Sequence, residues 1–264
     1  MKNLNDYKNW LILNNCSSGI TVYIPRLLEY FHKYAELTEE NINQFIVDKK
    51  NKKLSEEYLN NYIKAIKSYC KFAQLNIRLP RAFKVTQNLP QYVSLDFFEN
   101  QIVKDLPEIF TSIDIKKVET ILYFMFFSGL RKSEILMLKK EHFNFKEAEC
   151  KVYIPKRKEE RLIPLTERIM KMIISYSYDN PSDINIFGIT NKQLTYICKK
   201  IADNYKIKFS CHTFRHSFAM HMKKMGFDLQ DIGLLLGHKN INSTMRYAKA
   251  DIKEIKNKFK ERIK

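Results

Sequence analysis

Residues 121–134 read Ile-Leu-Tyr-Phe-Met-Phe-Phe-Ser-Gly-Leu-Arg-Lys-Ser-Glu. The apolar run Ile121–Leu130 is about half the ~20 residues that a membrane span needs, so it predicts a buried helix. Gly129 suits the left-handed residue that ends such a helix. Arg131 then opens a new helix, with Glu134 one turn on and on the same face. A helix start offers unpaired N–H groups and a positive dipole to an anion. Taken alone, Arg131 and Glu134 read better as a surface ion pair.

The rest of the chain is helical in pattern too. Its 264 residues carry 46 Lys and Arg against 29 Asp and Glu, a net charge of +17. With 45% hydrophobic residues the chain can bury a core, so the excess charge lies on a folded surface and points to a polyanionic partner such as nucleic acid. Before the decisive stretch, Tyr23, Leu27, Leu28, Tyr30, Phe31 and Tyr34 recur at helical spacing, as do Leu59, Tyr62, Ile63, Ile66, Cys70 and Ala73 behind a Ser55 cap. Lys64, Lys67 and Lys71 lie off the second stripe, on a face that can meet phosphates or simply solvent. Residues 77–93 lose helical periodicity and hold Arg78, Pro80, Arg81, Lys84 and Pro90, which predicts an extended basic linker. After the decisive stretch, Lys151–Ile154 and Arg161–Leu165 flank a charged turn and predict one β-hairpin in a mainly helical domain. Thr190 and Gln193 form a capping box for a further helix.

The five cysteines are odd in number and widely spaced, which fits a reducing cytoplasm and neither a disulfide framework nor a zinc knuckle. The first residues have no apolar signal core, and no membrane role is expected. His212 and His216 are spaced like helical zinc ligands. Thr213, however, stands where a metalloprotease motif has glutamate, so no metal is expected.

Two further stretches bear on chemistry. Residues 211–217 read Cys-His-Thr-Phe-Arg-His-Ser, with His212 and Arg215 three apart, and residues 235–238 read Leu-Leu-Gly-His, with Tyr247 nine residues beyond. Together, two arginines, two histidines, a lysine-bearing turn and a tyrosine suit displacement at a phosphodiester without a metal. Arginines bind non-bridging oxygens bidentately. A tyrosine can attack if a base takes its proton, and a lysine can protonate the leaving oxygen. No carboxylate cluster for Mg²⁺ is evident, so no cofactor is expected.

The motifs SGLRKSEIL (128–136), HTFRHSFAMHM (212–222) and LLLGH (234–238), followed by Tyr247, resemble the tyrosine recombinase, or phage integrase, family in its Xer-like two-domain form, over roughly residues 94–250. The resemblance implies a mainly α fold. A helical core-binding domain (1–76) and the linker (77–93) would precede a catalytic domain (94–264) with a small β-hairpin and a C-terminal tail helix, the two domains closing on DNA as a C-shaped clamp. No accessory arm-binding domain is expected.

The resemblance also implies roles. Arg131 and Arg215 clamp the scissile phosphate, His212 shuttles the tyrosine proton, and His238 binds a non-bridging oxygen. Tyr247 attacks to give a 3′-phosphotyrosyl bond, Lys156 protonates the 5′-oxygen, and Glu134 orients its neighbours. The hairpin turn departs from the family's Gly-Lys-Gly, reading Pro155-Lys156-Arg157, which leaves Lys158 as the other candidate acid. Gly233 stands where the family commonly has a longer polar side chain. The partner implied is double-stranded DNA bearing specific recombination sites, contacted by Lys64, Lys67, Lys71, Arg78, Arg81 and Lys84. Ile252, Ile255, Phe259 and Ile263 form a tail stripe that would dock in a neighbouring copy of a DNA-bound tetramer, the alternative being packing on its own domain. A type IB topoisomerase-like relaxing activity and a non-catalytic DNA-binding relative are the alternatives.

Overall fold

The computed structural model of the protein describes residues 3–85, 90–154, 159–180, 185–238 and 242–249. Lys156, Lys158 and the tail stripe Ile252, Ile255, Phe259 and Ile263 lie outside the described residues. The chain divides into two compact units, Met1–Gln87 and Asn88–Lys264.

The first unit is built from α1 (Leu4–Leu13), α2 (Ser17–Lys33), α3 (Glu39–Asn51) and α4 (Glu56–Ala73). Three of these helices start on side-chain caps, where Asn3, Thr38 and Ser55 each accept a backbone N–H of the first turn. Their inner faces meet in a tyrosine-rich core of Tyr7, Leu27, Tyr30, Phe45, Tyr62, Ile66 and Tyr69. In α2 the stripe is narrower than its sequence suggests: Leu27 and Tyr30 are buried, whereas Leu28, one residue and 100° round the helix, is 53% exposed. In α4, Lys64, Lys67 and Lys71 are exposed, opposite the buried face.

Residues 75–85 have no regular secondary structure but are tied to this unit. Ile77, Leu79 and Phe83 pack on its core. Asn60 also clasps Phe83 from both sides, its Nδ2 donating to the Phe83 carbonyl at 2.9 Å and its Oδ1 accepting the Phe83 N–H at 2.8 Å. Arg78, Arg81 and Lys84 stay exposed between these anchors. The stretch expected as a linker is thus partly seated, because apolar residues are interleaved with its basic ones. At its far end Val93 belongs to the second unit, with its N–H on Ser217 Oγ at 2.9 Å.

The second unit forms around α7 (Ile115–Ser128), in which Val118, Ile121, Leu122, Phe124 and Phe126 are fully buried. Against it pack α5 (Leu95–Phe97) with the π-helical turn Phe98–Val103 that continues it, α6 (Leu106–Ile109), α9 (Glu167–Asp179) and α10 (Asn191–Tyr205). The Thr190–Gln193 capping box opens α10 as its sequence predicts. Gly129 ends α7 at φ +60°, and a Cβ there would lie 2.4 Å from Phe218 Cδ1, so both backbone and packing require glycine. The short α8 (Lys132–Ile135) follows at once.

A three-stranded antiparallel sheet comes next, β1 (Phe143–Asn144), β2 (Glu149–Ile154) and β3 (Glu159–Pro164), in the order β1-β2-β3. The predicted hairpin is present, and β1 adds an edge that its two residues were too short to announce. Register pairs Cys150 with Ile163, Val152 with Arg161 and Ile154 with Glu159. Cys150, Val152 and Ile163 are buried, as period-two alternation demands. Finally, α11 (Cys211–Lys224), α12 (Leu229–Leu236) and α13 (Asn242–Lys249) share a small core of Phe218, Ala219, Met220, Ile232, Leu236 and Tyr247.

Candidate active site

Three arginines converge on one helix end. The last carbonyls of α12 have no partner within the helix and carry the negative end of its dipole. Gly237, at φ +63°, turns the chain there. Arg161 Nε donates to the Leu235 carbonyl at 3.0 Å, Arg215 Nη2 to Leu236 at 2.7 Å, and Arg131 Nη2 to Gly237 at 3.2 Å. These donors come from β3, α11 and the residue just before α8. The glycine in the Leu-Leu-Gly-His motif has a second cause besides its φ. A Cβ at position 237 would sit 2.8 Å from Arg161 Nη1.

Glu134 is the counter-charge. Its side chain is 4% exposed. It accepts from Arg131 Nη1 at 2.8 Å, the Arg131 backbone N–H at 2.8 Å, and Arg161 Nη1 and Nη2 at 3.2 and 2.8 Å. Burial alone would raise its pKa, but the Arg161 bond and charge, then Arg131, hold it below the ordinary carboxylate value. Three guanidiniums against one carboxylate leave two positive charges in the cluster.

Arg215 is buried, and its Nη1 also donates to the Gly129 carbonyl at 2.8 Å, the residue that ends α7. Burial first, and the neighbouring Arg131 charge second, bring its pKa down to about 9, so it stays charged at neutral pH. A guanidinium has five N–H donors, and Arg215 and Arg131 each place two on the groups named, so each has further N–H groups beyond those bonds.

Tyr247, on α13, is 1% exposed. Its hydroxyl lies 3.0 Å from His216 Nδ1, and its ring stacks on His238 at 6.5 Å between centroids and 10° between planes. It is also close enough to the Arg215 guanidinium for the two to interact electrostatically. His238 Nδ1 in turn meets Thr244 Oγ1 at 2.8 Å, which fixes the ring from α13. Gly233 now has a reading: a Cβ there would come within 3.1 Å of Thr244 Oγ1, so glycine lets α13 lie close on α12. Lys223 Nζ donates to the Tyr247 carbonyl at 3.1 Å.

Of the residues singled out from sequence, Arg131, Glu134, Arg215, His238 and Tyr247 thus form one connected cluster. His212 stands exposed on the first turn of α11 and, with Thr213 and His216, lines an open recess of about 490 Å³. The histidine on the phenol is His216, one turn further along the same helix. Lys64, Lys67, Lys71, Arg78, Arg81 and Lys84 belong to the first unit. Sequence reasoning passed over Arg161 and Thr244. Arg161 had a signal, since alternation in β3 puts it on the buried side with Ile163. Thr244 had none, because nothing in its neighbourhood distinguishes it from a solvated threonine. Among the described residues, no group of three or more His, Cys, Asp or Glu could hold a metal ion.

This architecture has relatives. Residues 99–254 match the family model described as the phage integrase family. The chain belongs to that family. It is a Xer-like tyrosine recombinase. Tyrosine recombinase XerA of Thermococcus onnurineus is 26% identical over 267 residues, covering 96% of this chain and 92% of its own. XerA of Pyrococcus horikoshii is 27% identical over 266 residues, covering 96% and 90%. Among solved structures, the XerH site-specific recombinase bound to a palindromic difH substrate in a post-cleavage complex shares the fold. Its TM-score is 0.73 at 21% identity, covering 90% of this chain and 78% of that one. As a tyrosine recombinase, the protein acts on DNA in site-specific recombination, by cleavage and religation.

Proposed function

We propose that Tyr247 is the nucleophile of this recombinase and that Arg131 and Arg215, at the α12 end, hold the phosphate it attacks. The observation that carries this reading is a buried phenol bonded to His216 Nδ1 beside a buried, charged Arg215. Elsewhere a tyrosine with its hydroxyl on a histidine is a packing residue with a satisfied polar tip. Next to guanidiniums in net excess, it is an oxygen poised to lose its proton where negative charge is stabilised.

Arg131 and Arg215 address the non-bridging oxygens, whose charge grows as phosphorus becomes five-coordinate. His238, stacked on the phenol and held by Thr244, donates to one of the same oxygens. A histidine of α11 takes the phenolic proton. His216 has the contact in this structure, while His212 lines the adjoining recess and can relay the proton to solvent. The bond from tyrosine oxygen to the 3′-phosphate forms as the bond from phosphorus to the 5′-oxygen breaks, and Lys156 supplies the proton that leaves a free 5′-hydroxyl. The ester retains the energy of the broken bond, so religation needs no nucleotide.

The substrate is duplex DNA with specific sites. Exposed Lys64, Lys67, Lys71, Arg78, Arg81 and Lys84 on the first unit bind its phosphates. The tail stripe Ile252, Ile255, Phe259 and Ile263 docks in a neighbouring copy and assembles a tetramer on DNA, a reading supported by its helical spacing. The test is covalent trapping. Duplex fragments from the protein's own cell, nicked to prevent religation, are incubated with the chain, and the adducts are isolated under denaturing conditions and sequenced. A DNA ester at Tyr247 with one recurring sequence is expected; no adduct at any sequence overturns the proposal.

A further inference from the structure

We infer that Arg161 is a positioning residue of the cleavage site, a third arginine that sets the phosphate clamp without touching the phosphate. All three of its guanidinium nitrogens are engaged. Nη1 and Nη2 hold Glu134 as a fork at 3.2 and 2.8 Å, and Nε holds the Leu235 carbonyl at 3.0 Å. Its side chain is 10% exposed and that of Glu134 is 4% exposed, so the pair is shielded from water. Arg131, by contrast, is 37% exposed and uses the same carboxylate from the open side.

A buried ion pair is weak evidence of a stability device, because apolar residues of the same volume serve a core equally well. What this pair does distinctively is geometric. Arg161 joins three elements that contribute to the site: β3, on which it sits, the start of α8 through Glu134, and the end of α12 through Leu235. Arg131 hangs from the second of these junctions and from Gly237, two residues along from the third. Displacing Arg161 therefore moves both attachment points of Arg131. The packing fits the same role, since the guanidinium fills the space a Cβ on Gly237 would take. Lysine cannot replace it, because a single ammonium cannot meet the carboxylate as a fork and the carbonyl together.

The inference rests on the proposed clamp, and its test separates the two. Wild-type protein, Arg161→Lys, Arg161→Gln, Arg131→Ala and the Arg131→Ala/Arg161→Gln double variant are given a nicked duplex recovered from wild-type adducts. Adduct formation is timed at saturating protein, alongside duplex affinity and thermal melting. A misplaced clamp predicts a loss of about 10²-fold for Arg161→Gln and about tenfold for Arg161→Lys, with affinity within about twofold of wild type. The double variant is expected to be no slower than Arg131→Ala alone, since both changes disable one unit. The same duplex carrying a methylphosphonate at the scissile position has one less negative oxygen to neutralise. It is expected to recover most of the Arg161→Gln loss, which a general loosening of the fold would not allow.

An unchanged rate for Arg161→Gln overturns the inference, as does a loss additive with Arg131→Ala, or one that the methylphosphonate leaves in place. If Arg161→Gln does not fold, Arg161→Lys is judged by the same three readings. Absence of adducts from the wild type would instead refute the proposed nucleophile.

Discussion

Replacing Glu134 by glutamine is the sharpest test of the charge arrangement. The carboxylate accepts four hydrogen bonds at 2.8–3.2 Å, three of them from guanidiniums, in a setting where its side chain is 4% exposed. Glutamine keeps one acceptor oxygen. With that oxygen in the place of Oε1, the amide nitrogen replaces Oε2 and turns N–H groups toward the Arg131 N–H and Arg161 Nη2, donors facing donors. Two bonds to the ionised carboxylate are lost, and two guanidiniums, the largely buried Arg161 and the partly exposed Arg131, lose their counter-charge. The combined loss is about 3–5 kcal/mol, the range for removing one partner of a buried pair. For a unit of this size that lowers the melting temperature by about 10 °C.

The pH dependence follows from the depressed Glu134 pKa. A carboxylate lowered by folding contributes stability that is fully present above its unfolded value, near 4.5, and is lost as pH falls through the folded value. Calorimetric melts of the two proteins at a series of pH values are the assay. The gap should be widest at neutral pH and close progressively below about pH 4. Equal melting temperatures at pH 7, or a gap that does not change with pH, would refute the claim that an ionised Glu134 organises the arginines.

Further outcomes follow from the same geometry. Tyr247→Phe should bind duplex normally, unfold about 1 kcal/mol more easily through one lost hydrogen bond, and form no adduct; an adduct from this variant in a denaturing gel would move the nucleophile elsewhere. Gly129→Ala combines a left-handed backbone penalty with a Cβ 2.4 Å from Phe218, so denaturant unfolding should register a loss of about 2–5 kcal/mol; a loss under about 1 kcal/mol contradicts the packing there. Changing Lys64, Lys67 and Lys71 together to glutamine should reduce the salt dependence of duplex affinity by a slope of about 3 while leaving the melt unchanged; an unaltered slope removes α4 from the DNA contacts. Cleavage should persist in EDTA, and a strict requirement for Mg²⁺ would refute a site that relies on side-chain cations alone.

Much of this fold was legible because it is written in local signals. The apolar run 121–130, the left-handed Gly129 and Gly237, the Ser55 cap and the Thr190–Gln193 box each specify their own element without reference to the rest. Arg131, Arg215, His238 and Tyr247 stood out because their residue types suit one reaction. What sequence could not supply was three-dimensional adjacency. That His216 rather than His212 meets the phenol depends on where α13 lies against α11, and both histidines occupy equally plausible turns of one helix. Arg161 was hidden because charge ordinarily marks the outward face of a strand, and here tertiary contacts to Glu134 and Leu235 reverse that habit. The basic stretch after α4 carries two patterns at once. Arg78, Arg81 and Lys84 read as an extended linker, while Ile77, Leu79 and Phe83 among them pack on the core of the first unit.

Three guanidiniums on three successive carbonyls, the last two of α12 and that of Gly237 which ends it, have a mechanical consequence. A rigid shift of that helix cannot retune one arginine and spare the others; it carries all of them at once. Because α13 rests on α12 through Thr244 against Gly233, a pull on the helix that carries Tyr247 reaches the same fulcrum. Anything that moves α12 or α13 therefore acts on the three arginines and Tyr247 together rather than on one of them.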